Sequence, residues 1–164
     1  RKKTTNDIKL RRGRGVTDHQ QLAADLFNHT WTLLDIEERT KEQDEEMVHA
    51  AHASRYHWGI AGTEKNNARG EWQIARVYAT LRRPDSAIHH ATLCLEACQK
   101  EEFDDWDLPF AYEGLARAYI GVDTERAKEY LQMARELGSK IDKNGDRDWL
   151  YTNLDEIEVL IHGT

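Results

Sequence analysis

The chain has 164 residues, 39% apolar and 32% charged, with a formal net charge of -7. That length supports one domain, which at this size buries roughly 70% of the surface its unfolded chain exposes. The charge is uneven: residues 1–16 hold seven basic side chains and the single acid Asp7, so this tail is +6 and the rest of the chain is -13. So acidic a body repels phosphate backbones, which excludes nucleic acid as its partner.

No apolar run approaches the roughly 20 residues needed to span a bilayer, so no membrane partner is expected. Residues 1–16 read as a solvated basic tail, and residues 17–164 as the single domain. The chain opens on Arg1 without a methionine, and a natural start upstream of it is expected. The two cysteines, Cys94 and Cys98, stand four apart on one helix face, a poor spacing for a disulfide and a usual one for small core side chains. A cytoplasmic location follows as the expectation.

Hydrophobic periodicity predicts helices almost throughout. Thr17 or Asp18 caps a first helix that runs to about Arg39, with Leu22, Leu26, Phe27, Leu33 and Leu34 on its apolar side. The second spans about 41–58 with Met47, Val48, Ala50, Ala51 and Ala53, and is broken by Gly59 and Gly62; residues 63–67 read as a loop. The third, about 67–81, turns Ile74, Ala75, Val77, Tyr78 and Leu81 inward. Pro84 opens a fourth that reaches about Glu101, where its missing amide hydrogen costs nothing. After a connection at 103–107, Leu108 and Pro109 open a fifth helix ending near Gly121. Asp123 or Thr124 caps a sixth, stopped at Gly138 or a little later. The seventh, about 146–161, carries Trp149, Leu150, Leu154, Ile157 and Ile161. No window alternates as a strand would.

The sequence also repeats. Asn28 to Asp35 aligns with Arg69 to Arg76 and with Phe110 to Arg117 at an offset of 41 residues, and His49-Ala50 aligns with His90-Ala91. A period between about 20 and 50 residues signals stacked supersecondary units, none of which buries its apolar face alone. Ile74-Ala75-Arg76-Val77-Tyr78 with Ala87, Ala91 and Cys94 parallels Leu115-Ala116-Arg117-Ala118-Tyr119 with Ala127, Leu131 and Ala134. Small residues at these places let two helices approach, and the tyrosine fills the space beside them.

This pattern resembles the tetratricopeptide repeat, well over residues 67–137 and weakly over 18–66, with repeats longer than that family's usual 34 residues. In the first unit Leu34 stands where Ala75 and Ala116 stand, and Glu37 replaces the tyrosine. The resemblance implies an all-α fold: a right-handed solenoid of three helical hairpins and a C-terminal capping helix. It also implies a protein or peptide interaction module with a concave binding face. Carried onto this chain, the groove positions are Asn28, Trp31 and Asp35 in the first unit, Arg69, Trp72 and Arg76 in the second, and Phe110, Glu113 and Arg117 in the third. Spacings of three and four put each trio on one helix face. Aromatics beside arginines commonly anchor binding surfaces, and Arg76 with Arg117 suits a carboxylate or phosphate. With equal weight, the tryptophans pack between helices and the arginines pair with Asp35 and Glu113. Gln73 and Gly114 stand where the chaperone-binding clamp of the family wants asparagine or a basic residue, which argues against a chaperone-tail receptor.

Catalysis is not expected, nor is a cofactor or a resident metal. Glu45, Glu46, His49 and His52 make one metal-like cluster, which His57, His89 and His90 join only if the fold brings them in; a carboxylate-bridged site needs a second such motif that the chain lacks. Cys94 falls at a helix crossing, which favours burial over activation. Glu101, Glu102, Asp104, Asp105 and Asp107 do not match the spacing of a calcium loop. A metal-binding or small-molecule enzyme on the histidine-rich helices is one alternative, and self-association into a homo-oligomer is another.

Overall fold

The computed structural model describes residues 16–163; the basic tail lies almost wholly outside the described residues. Seven helices make up the fold: α1 (His19–Leu34), α2 (Lys41–Ala61), α3 (Glu64–Thr80), α4 (Pro84–Lys100), α5 (Asp107–Ala118), α6 (Thr124–Gly138) and α7 (Asn144–His162). There is no strand among the described residues, so the all-α expectation holds. Nor is any helix long and apolar enough to cross a membrane.

Helix ends are set by side chains that reach back to orphaned backbone groups. Asp18 caps α1 by accepting from the amide of Gln21 at 2.9 Å. The helix stops at Leu34, short of the expected Arg39, because Arg39 turns back and donates Nη1 to the carbonyls of Leu33, Leu34 and Ile36. Its Nε simultaneously donates to Asp44 Oδ1 at 2.8 Å in α2. Thr40 and Gln43 form a reciprocal capping box at the start of α2, as Thr63 and Asn66 do for α3. Residues 64–66 are therefore the first turn of α3 and not a loop. Gly59 sits inside α2, which runs on to Ala61, and Gly62 ends it by donating its amide to the Trp58 carbonyl at 2.7 Å. Pro84 stands at the first turn of α4 as expected. The α5 helix ends three residues before Gly121, which turns the chain with φ 75.

Packing follows chain order: α1 lies chiefly against α2, α3 against α4 and α5 against α6, with α2 meeting α3 and α4 meeting α5. Alanines fill the crossings, with Ala23, Ala51, Ala75, Ala87, Ala91, Ala116, Ala127 and Ala134 all buried. At the α1–α2 crossing Ser54 Oγ donates to the Ala23 carbonyl at 2.8 Å, so a buried hydroxyl is satisfied. Tyr78 and Tyr119 lie half-buried beside the Ala75, Ala87 and Ala91 cluster, the place the repeat pattern assigns them. The last helix, α7, packs on α6 and α5. Leu150, Leu154, Ile157 and Ile161 are buried there with Ile141, and each fully buried aliphatic side chain stabilises by about 1.5–3 kcal/mol. Gly138 makes this contact close: a Cβ at that position would stand 2.5 Å from Leu150 Cδ2.

Candidate functional site

The repeat register places its nine nominated residues on α1, α3 and α5, and α7 meets them. Residues 149, 153 and 156 of α7 stand four and three apart, so their side chains share one face of the helix. Trp149 reaches into an aromatic cluster, with its ring centroid 4.7 Å from Phe110, 5.9 Å from Trp72 and 6.1 Å from Trp31. Trp31 and Trp72 themselves stand 5.5 Å apart, and Trp72 meets Phe110 edge-on at 5.5 Å. These separations suit offset and edge-to-face ring pairs.

One helical turn on, the cluster becomes polar. Glu113 is fully buried and both its oxygens are used. Oε2 accepts from Trp72 Nε1 at 3.0 Å; Oε1 accepts from Arg117 Nε at 2.8 Å and from Arg76 Nη1 at 3.2 Å. Asn153 closes the arrangement, taking Arg76 Nη1 at 2.9 Å on its side-chain oxygen while its Nδ2 donates to the Trp149 carbonyl at 2.8 Å. Glu156 supplies a second carboxylate, 3.2 Å from Arg117 Nη2 and 3.8 Å from Arg76 Nη2.

Two guanidiniums therefore face two carboxylates: Glu113 is buried with them, while Glu156 lies half in water and meets them from the rim. Burial pulls Arg76 below its ordinary value, with Arg117 adding to the shift and Glu113 opposing it. At Arg117 burial acts in the same direction, yet Glu113 and Glu156 outweigh it and raise it.

Six of the nine nominated residues thus meet in one cluster: Trp31, Trp72, Arg76, Phe110, Glu113 and Arg117. Trp72, Phe110, Glu113 and Arg117 are buried, so they serve packing and internal pairing and present no surface to a partner. The pairing of arginines with Glu113 holds, whereas no ion pair joins Asp35 to either of them. Asn28 and Asp35 are exposed at the rim of α1. Arg69 belongs elsewhere: its Nε and Nη2 grip Asp107 at 2.8 and 2.9 Å, its Nη2 also reaches Asp104 at 2.7 Å, and it stacks 4.1 Å over Trp106. That bonding explains the acidic connection, whose Asp107 is buried.

Trp149, Asn153 and Glu156 were not nominated from the repeat, because α7 lies outside it. Trp149, next to the buried Leu150 on the seventh helix, is 43% exposed. With the half-buried Trp31 it forms an aromatic surface between α1 and α7.

The histidines are spread over separate bonds. His29 meets Glu46, His52 meets the Tyr78 hydroxyl, His90 meets Glu71, and His19 meets His57. Among the described residues no group of three or more His, Cys, Asp or Glu is placed to hold a metal ion. The Cys94 thiol is pushed up by its hydrogen bond to Cys98 and by burial, and that same bond pulls Cys98 down. No family model, no curated protein and no solved structure matches the chain.

Proposed function

We propose that this chain is a non-enzymatic interaction module of tetratricopeptide-like design, a right-handed solenoid of three helical hairpins capped by α7. It takes an apolar segment of a protein partner on the aromatic surface that Trp31 of α1 and Trp149 of α7 form. The observation that carries this reading is the aromatic surface of Trp149 and Trp31, large rings left partly in water at the edge of a rigid, internally bonded cluster. Exposed aromatics on a fixed platform are typical anchors for partner side chains. Asn28 and Asp35 on α1 and the outer edge of Arg76 supply polar groups around them. The acidic body favours a segment with basic flanks.

Random peptides selected on the immobilised protein test this reading. Selected peptides are expected to bind the Trp149→Ala and Trp31→Ala variants at least tenfold more weakly while both variants keep wild-type helicity. Peptides that bind all three proteins alike would remove the Trp31 and Trp149 surface as the site.

A further inference from the structure

At the end of the molecule formed by the α3–α4 and α5–α6 turns and the last part of α7 lies a cleft of about 630 Å³. Its lining combines an apolar floor of Pro84, Ala118 and Ile120 with Arg117 and Glu156, whose charges are paired with each other at 3.2 Å. Its lips, Val122 and Leu160, are 52% and 43% exposed. Arg82 and Arg83 stand on one side of it. Every other arginine among the described residues donates its guanidinium to an acceptor, whereas Arg82 and Arg83 donate to none. Two unpaired cations thus stand side by side on a body that is otherwise acidic.

The backbone at this point adds an independent observation. The α3–α4 turn passes through a left-handed residue, Arg82 with φ 55, and the α5–α6 turn does the same through Gly121 with φ 75. Glycine adopts that conformation freely, and an L side chain does so under strain. Arginine is kept where glycine serves in the neighbouring turn, and strain of this kind concentrates where a side chain has a task.

We propose that this cleft binds an acidic, aliphatic-rich peptide segment of a protein partner, with Arg82 and Arg83 taking its carboxylates and the apolar floor taking an aliphatic side chain between them. Guanidiniums match carboxylates in a fork geometry. The cleft has the volume usual for ligand sites, and the exposed Val122 and Leu160 extend its apolar surface beyond a single side chain. A nucleic-acid backbone offers no aliphatic side chain for the Pro84, Ala118 and Ile120 floor, so the anionic partner is a peptide. The site shares no anchoring residue with the Trp149 and Trp31 surface, although Arg117 and Glu156 line it and also belong to the bonded cluster beneath that surface.

The test uses a fluorescein-labelled, acetylated peptide of alternating acids and leucines, Glu-Asp-Leu-Glu-Leu-Asp, with two controls: one with lysines for the acids and one with serines for the leucines. Anisotropy is expected to show saturable binding of the acidic leucine peptide alone. Arg83→Ala and Arg82→Gly are each expected to weaken it at least tenfold, with Trp149→Ala unchanged. Because Arg82→Gly also relieves the left-handed strain, its melting temperature is expected to rise as its affinity falls, a combination that general damage to the fold does not produce. Absence of saturable binding, equal binding of the lysine peptide, or wild-type affinity in both arginine variants would overturn the proposal. So would self-association of the peptide-free protein that Arg83→Ala abolishes in sedimentation, since the occupant would then be a second copy of this chain.

Discussion

Glu113 decides more of the structure than any other single side chain. Its carboxylate is buried and serves three donors on α3 and α5. Removing one member of such a group leaves the opposite charges buried and uncompensated, which typically costs about 3–5 kcal/mol. Glu113→Ala is therefore expected to lower the urea midpoint by that amount of stability, and Glu113→Gln to fall in between because it keeps the Trp72 acceptor but not the charge. Equal stability of the alanine variant would mean that the two arginines find water instead. A second residue-scale effect concerns acid. His52 is held below the ordinary imidazole value of 6.5, first by burial and then by the neighbouring His90 and His49, against the pull of Glu71. The other groups around it are the Tyr78 hydroxyl and Arg55, which bonds Glu71. A depressed value in the folded state means the unfolded chain binds the proton more readily. His52 therefore contributes stability above its unfolded value and loses it as pH falls through the folded one. Glu71, also held low, through His90 and Arg55 against burial, adds a loss in the same direction at more acid pH. Melting temperatures measured from pH 7.5 down to 5 should fall less steeply for His52→Gln than for the native chain.

Among the elements, the contact of α6 with α7 is the most sharply determined. An alanine at position 138 gains helix propensity, worth up to about 1 kcal/mol. It also drives a Cβ against Leu150 Cδ2. Leu150 is fully buried, and overpacking of this kind costs about 1–3 kcal/mol. Gly138→Ala is expected to destabilise, and Leu150→Ala in the same chain to cost less than it does alone, so a double-mutant cycle should show favourable coupling between the two. Stability rising with Gly138→Ala alone would show that α7 shifts freely on α6. Helices are legible in the sequence because period and caps agree locally: Asp18 and Asp123 are caps whose acceptors lie three residues from their donors. Boundaries were missed where the deciding group came from outside the turn, as with Arg39 reaching back to α1, or where the box partner Asn66 was read as loop. The repeat register located Trp31, Trp72, Phe110 and Glu113 correctly on one face. It did not reveal what covers that face, because Arg76 and its partner Asn153 stand 77 residues apart and no local pattern links them.

For the molecule as a whole, α7 acts as a tie across helices that pack chiefly with their sequence neighbours, with α3 also meeting α5 and α1. It joins α5 and α6 directly and reaches α3 through Asn153 and Glu156 and α1 through Trp149. In an array of nearest-neighbour contacts stability is nearly a sum over units, and opening spreads from the ends. Side chains that bridge non-adjacent units turn that sum into one cooperative transition. A chain ended after Ile141 loses the burial of Leu150, Leu154, Ile157 and Ile161; at about 1.5–3 kcal/mol for each, that loss rivals the roughly 5–15 kcal/mol that holds a whole domain together. It also strips Asn153 and Glu156 from Arg76 and Arg117 and exposes Phe110 and Trp72. Milder surgery isolates the tie from the core. Asn153→Ala with Glu156→Ala leaves the aliphatic seam of α7 intact and removes its side-chain polar bonds to Arg76 on α3 and Arg117 on α5. This double variant is expected to lose stability and to separate the unfolding of α1–α4 from that of α5–α7, so that tryptophan fluorescence and helical circular dichroism no longer trace one curve in urea. A single coincident transition in the variant would place the cooperativity of the molecule in the contacts that remain, among them the Glu113 bonds that join α5 to α3.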